Sequence, residues 1–288
     1  MMDFSKEYEF AWLSGLFLIT CLILYVLARL VFSFVNRKVD VRNELIHKDN
    51  PAFYAAYVSY FIGFVMIIGG VMNSGGTQDL KLELMYTVLY GSIGILLLNG
   101  AAWLNDLIMH RSVPLWKQIE KGDMASGIVK GATYISTGII IAGVVLMEVE
   151  RPIQALMFMV VALAFNAIGT LYYNFITPFK IKEEIYKGNA AVAVSTAGAQ
   201  IAFAILIYAG FQLTHEYWQE SLVFIGVDVI GGFIILPILR FVVDKVFIPG
   251  RSITDELINQ EKPNIGLGVF EASAYISGAL LLIWCWNL

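Results

Sequence analysis

Arg29, Lys130, Asp228, Arg240 and Glu271 stand inside long runs of apolar residues, where an unpaired charge costs a few kcal/mol or more. Side chains of these types in such surroundings can pair with one another, exchange a proton, or contact a passing cation. Counting seven positions on from Asn50, Asp123, Asn189 and Asn264 gives Tyr57, Lys130, Thr196 and Glu271, so one register carries an aromatic, a base, a hydroxyl and an acid. At a rise of 1.5 Å per residue that register lies about 10 Å beneath the start of its helix. Arg29 and Arg240 stand about seven residues before the ends of their own apolar runs, in nearly the same layer. Glu271 is read as the one acid available there, and its partner is either Arg240 from the preceding run or Lys130 from the other half of the chain. Two readings stay open. One is a buried ion pair that fixes helix register while the remaining bases reach to the headgroups. The other is a titratable or cation-contacting site in a hydrated path.

Asp228 lies twelve residues to the other side of Arg240, with no base at its depth. It either faces water or keeps its proton, because a buried unpaired carboxylate resists ionisation. Gly231, Gly232 and Pro237 weaken the same run and free backbone carbonyls. A kinked helix beside an acid is the sequence's pointer to a cation route. Asn99 and Asn166 lie deeper, at roughly equivalent places in two other runs, and suit hydrogen bonds between helices. Asp106 and His110, four apart, are read as a solvated helix end.

These residues must be positioned by helices in lipid. With 58% hydrophobic residues, 15% charged residues and a mean hydropathy of +0.72, the chain is too apolar for an ordinary soluble domain. Eight apolar runs can be marked, at about 11 to 35, 51 to 72, 85 to 109, 124 to 147, 152 to 176, 189 to 211, 220 to 243 and 264 to 287. Each is long enough to cross a hydrocarbon layer of about 30 Å. The first follows an acidic N-terminus without a basic stretch or a cleavage pattern, so it is read as a retained helix.

A linker pattern recurs four times: RKVDVRNELIHKDN from Arg37, RSVPLWKQIEKGD from Arg111, TPFKIKEEIYKGN from Thr177 and GRSITDELINQEKPN from Gly250. Each copy joins an odd run to an even one, so the smallest unit is a helical hairpin, and two hairpins make each of two parallel four-helix halves, 1–149 and 150–288. Apolar pairs four apart, such as Ile181 and Ile185, mark a short interfacial helix at the cytoplasmic headgroups. Asn50, Asp123, Asn189 and Asn264 then stand where a following helix needs an N-cap. Four such N-termini gathered round one axis would instead make an anion-attracting mouth. Small residues follow the caps: Gly127 and Gly131, then Ala190, Ala193 and Ala197, then Gly266, Ser273 and Ser277. They mark the even helices as the inner, closely packed ones.

Thirteen of the 19 Lys and Arg residues fall in these linkers, against Lys6, Lys81 and Arg151 on the opposite side. The asymmetry puts the linkers in the cytoplasm and both termini outside it. The opposite face is acidic, with Asp3, Glu7, Glu9, Asp79, Glu83, Glu148, Glu150, Glu216 and Glu220, and should collect cations.

The chain carries no P-loop, HExxH, GxSxG or CxxC pattern, and His47, His110 and His215 are dispersed. The sequence therefore points to no enzyme, cofactor, metal or nucleic-acid partner. The run EIYKGNAAVAV from Glu184 to Val194, its acidic and basic lead-in and the four-helix period resemble the YjfL-like family of bacterial inner-membrane proteins, domain of unknown function 350, in two tandem copies. The resemblance implies a multi-pass inner-membrane protein of unestablished activity, associated with envelope-stress or polyamine-related genes, and it supplies no site residues. Two functions remain as expectations. The first is a structural or regulatory envelope module acting through lipid, further copies of itself or other membrane proteins. The second is a channel or transporter for small cations, protons or polyamines that uses Asp228 and Glu271.

Overall fold

The computed structural model describes residues 4–37, 39–74, 79–109, 115–146, 152–212, 218–248 and 250–286, and among them every regular element is helical. Eight helices are long and apolar enough to cross a membrane. They are α1 (Phe4–Val35), α2 (Pro51–Asn73), α3 (Leu80–Met109), α5 (Met124–Leu146), α6 (Pro152–Ile176), α8 (Ala190–Gln212), α9 (Trp218–Val242) and α11 (Ile265–Trp286). Their ends follow the apolar runs closely, except that α1 and α3 start earlier, in polar sequence. Short helices α4 (Leu115–Ile119), α7 (Ile181–Tyr186) and α10 (Ile253–Ile258) occupy three of the repeated linkers. Each buries an apolar pair four residues apart: Leu115 with Ile119, Ile181 with Ile185, and Ile253 with Leu257.

The first linker differs. Its turn at Asn43–His47 is a π-helix that buries Glu44, because Lys48 Nζ and Asn50 Nδ2 both donate to the carboxylate, at 2.5 and 2.7 Å.

α2, α5, α8 and α11 pack side by side in that order as an inner row. Neighbours in the row run parallel, as their closest contacts show. A Cβ on Gly127 would lie 2.3 Å from Ala52 O, and one on Gly70 would lie 2.7 Å from Ala142 Cα, so the starts of α2 and α5 meet and so do their ends. The second half repeats this: a Cβ on Gly268 would lie 2.4 Å from Ala191 O. No side chain but hydrogen fits at Gly127 or Gly268, and that is why the backbones can approach.

α1, α3, α6 and α9 form an outer row against the inner one. α5 and α8, at the centre of the inner row, are each 78% buried over their most apolar stretch, whereas α11, at its end, is 33% buried. The even helices expected to be inner and closely packed are thus the ones that form the inner row, although α11, at its end, leaves much of its surface uncovered. Its contact with α8 runs through Gly268 and Ala272 rather than Gly266, Ser273 and Ser277, which are exposed. A helix with small residues on two faces does not reveal from sequence which face is packed.

Candidate functional site

The four helix starts are built alike. Asn50 Oδ1 accepts from the backbone N–H groups of Ala52 and Phe53, Asp123 from those of Ala125 and Ser126, Asn189 from Val192 and Asn264 from Leu267. Two of these caps also tie linkers together: Asn50 Nδ2 donates to Ile119 O at 2.7 Å and Asn189 Nδ2 to Leu257 O at 2.8 Å. In each half, then, the cap of the first inner helix holds the short helix that precedes the second. The residue before the cap lies in the left-handed region at Asp49, Gly122 and Gly188 (φ 48°, 86° and 81°), which reverses the chain into the helix. Asp49 occupies that conformation without glycine's freedom.

Below the caps the structure closes two ion pairs. In the second half Glu271, fully buried on α11, accepts from Arg240 Nη1 of α9, from Ser195 Oγ of α8 and, at 2.6 Å, from the Tyr275 hydroxyl. The Tyr173 hydroxyl of α6 meets Ser195 Oγ at 2.5 Å, and Arg240 Nη2 donates to Thr254 Oγ1 at 3.3 Å. Both carboxylate oxygens and the guanidinium are thus occupied by protein groups. Of the two partners expected for Glu271, the structure selects Arg240. Ser195, Tyr173 and Tyr275 were not anticipated, although Tyr275, four residues after Glu271, shares its helix face.

Lys130 is paired elsewhere. Its Nζ, on α5, donates to Asp106 Oδ2 of α3 at 2.6 Å and lies 4.9 Å from the centre of the Tyr134 ring. This corrects two expectations. Glu271 is not the one acid of the layer, and Asp106 is not a solvated helix end; it is the counter-ion of a lysine whose side chain is 2% exposed. His110, its supposed companion, lies outside the described residues, as do His215 and the side chains of Asp3, Glu7, Glu9, Glu148, Glu150 and Glu216 on the acidic face.

Arg29 reaches the same register but meets a tyrosine there rather than a carboxylate. It sits on an exposed flank of α1 and approaches the Tyr57 hydroxyl. Asn99 is buried on α3; its Nδ2 donates to the Tyr60 hydroxyl of α2 at 3.1 Å and to Ile95 O. Asn166 is buried on α6, and the Oδ1 atoms of both asparagines have no hydrogen-bond partner among the described residues.

Asp228 is 6% exposed on α9 and forms no ion pair or hydrogen bond with another described side chain. The break in backbone hydrogen bonding that Pro237 makes further along α9 is already satisfied. Pro237 leaves Phe233 O without its helical donor, and the Tyr172 hydroxyl of α6 takes that carbonyl at 2.7 Å. The carbonyl expected to be free for a cation is therefore held by tyrosine.

Two layers of apolar helices, with ionic groups paired between layers and short helices at one end, define a polytopic integral membrane protein. The family described as Domain of Unknown Function (DUF350) matches the chain twice, over residues 10–145 and 147–286, and the chain belongs to it. A protein of Aquifex aeolicus (strain VF5) described as a UPF0719 transmembrane protein is 22% identical over 254 residues, covering 85% of this chain and 91% of that relative. No solved structure matches.

Proposed function

We propose that the protein is a structural or regulatory module of the bacterial inner membrane, acting through lipid, further copies of itself or other membrane proteins of the envelope. One observation carries this reading: both pairs, Arg240–Glu271 and Asp106–Lys130, are spent on joining outer to inner helices. The Glu271 carboxylate is held by three protein groups and the Lys130 ammonium by the Asp106 carboxylate, and a buried charge so held is expensive to free for a passing ion. In this reading residues 1–149 and 150–288 are two halves of one body, the linker helices α4, α7 and α10 lie at the cytoplasmic surface, and both termini lie outside. The association with envelope stress belongs to the same proposal.

Asp228 favours a second reading, passage of small cations, because it is a nearly buried acid with no partner among the described side chains. Purified protein in liposomes separates the two. The module reading expects no proton, potassium or polyamine flux under an imposed gradient, and a partner or oligomer recovered by cross-linking in native membranes. Cation flux that disappears in Asp228→Asn or Glu271→Gln would overturn it.

A further inference from the structure

The outer row is interrupted at the junction of the two halves. α3 and α6 each pack on α5 but do not pack side by side with one another. In the gap lies a cavity of about 40 Å³ whose polar lining is Asn105, Thr170, Asn174, Lys182, Thr196 and Gln200. Its origin can be read from the repeats. Thr196 occupies the register that holds Tyr57, Lys130 and Glu271 in the other copies. There a long side chain meets Arg29, Asp106 or Arg240 from an outer helix. In this copy the side chain is short and its hydroxyl turns back to Val192 O at 2.8 Å, while α6 contains no charged residue at all. The space that an ion pair fills elsewhere is left open.

Most of the wall is apolar, from Val129, Ile181 and Ile185, and of the polar groups set into it Lys182 and Gln200 are suited to an anion. Gln200 is 5% exposed and lines the cavity, and its side chain makes no hydrogen bond with another described residue. Lys182 lines it from α7. Lys180 and Lys187 pair with Glu183 and Glu184, each at 2.7 Å, whereas Lys182 has no ion-pair partner among the described residues. Asp106, the neighbour of Asn105, is not part of the lining; its Oδ2 is held by Lys130, and its Oδ1 is buried without a hydrogen-bond partner among the described residues. Ammonium and amide donors therefore face a space of about three water volumes, at ~10–15 Å³ each, which is the scale of a phosphate group. The exposed side chains of Leu171, Asn174 and Lys182 form the rim, so the opening combines an apolar edge with a cation, as a lipid headgroup with its chains requires.

We propose that this crevice is a binding site for a phosphate group, carried by an anionic phospholipid of the leaflet in which α7 lies. The site is independent of whether ions cross the protein. It is tested on the full-length chain, delipidated in detergent and titrated with phosphatidylglycerol, with phosphatidylcholine and with inorganic phosphate, and read by native mass spectrometry. The expected result is one phosphatidylglycerol held more tightly than phosphatidylcholine. Lys182→Gln should weaken it about fivefold, the effect of one basic residue at an anionic surface. Thr196→Leu, which fills the cavity, should remove it, and Lys180→Gln should leave it unchanged. Binding of inorganic phosphate that Lys182→Gln weakens, without selective lipid binding, would keep the phosphate site and assign it to the free ion. Equal retention of both lipids with no phosphate binding would overturn the proposal, as would phosphatidylglycerol binding unaltered in Lys182→Gln. That variant changes an exposed residue, so it reports even if Thr196→Leu fails to fold.

Discussion

Lys130 and Glu271 stand in one register, each seven residues past its cap, and each is met from the preceding outer helix by the opposite charge. The sign order is exchanged between halves: base inside and acid outside in the first, acid inside and base outside in the second. A misassembled pairing of α3 with α11 would put Asp106 against Glu271, and one of α9 with α5 would put Arg240 against Lys130. Repeated units that look alike to the hydrophobic effect are thus distinguished by charge.

Asp106→Asn should cost more stability than Lys130→Met. The asparagine variant leaves an ammonium whose side chain is 2% exposed, whereas the methionine variant leaves a carboxylate that is 23% exposed and can be hydrated. Removing one member of a buried pair costs about 3–5 kcal/mol, and the asparagine variant should approach that figure. Unfolding in mixed detergent micelles measures both.

For Glu271→Gln a loss of about 3–5 kcal/mol is expected, since Arg240 loses its counter-ion while 12% exposed. Replacing both residues by methionine should recover most of it. A double variant as unstable as the single one would show that the Tyr275 and Ser195 hydrogen bonds, rather than the charge, dominate the site.

The caps should not be equivalent. Asn264 is exposed, and its alanine variant should cost about 1 kcal/mol, the usual value of a cap. Asn50 and Asn189 are 4% and 6% exposed and also satisfy Ile119 O and Leu257 O. Asn189→Ala adds an unpaired buried carbonyl at Leu257; in Asn50→Ala, Ile119 O keeps the Gly122 N–H, but the buried Glu44 carboxylate loses a donor, and each loss is worth about 1–3 kcal/mol. Thermal unfolding of the three variants gives the order directly.

Gly127→Ala should separate α2 from α5, because its Cβ would lie 2.3 Å from Ala52 O, while Gly100→Ala meets nothing within 4 Å and should be neutral or stabilising. Loss of a cysteine cross-link engineered between the two inner helices would report the separation.

Acid should loosen the last linker. The Arg251 guanidinium, with Asn264 behind it, holds Glu256 below its usual range, and the Ser252 hydroxyl, with Asn259, does the same for Asp255. A carboxylate depressed in the folded state contributes stability above its unfolded value, and that contribution is lost as the pH falls through the folded one. Melting temperature should therefore drop below the ordinary carboxylate range, less steeply in Glu256→Gln.

The eight helices and their caps were legible because each depends on local sequence: an unbroken apolar run, or an Asn or Asp placed before one. Asp106 was not, since it stands three residues from the end of α3 and looks solvated. Lys130 reaches it by extending its long stem back toward the headgroups, and depth counted along the backbone misses that reach. The mouth beside Thr196 was illegible for another reason. It is defined by a side chain shorter than its counterparts, and a missing volume shows only when the surrounding helices are in place.

The two rows have an electrical consequence. Parallel neighbours in the inner row align their peptide dipoles side by side, which is unfavourable, each helix presenting about half a positive charge at its start. The outer helices, alternating with them along a chain that crosses back and forth, point the other way. Each row alone is polarised from face to face; stacked, they cancel. The outer helices therefore do more than shield apolar surface: they neutralise the field of the row they cover.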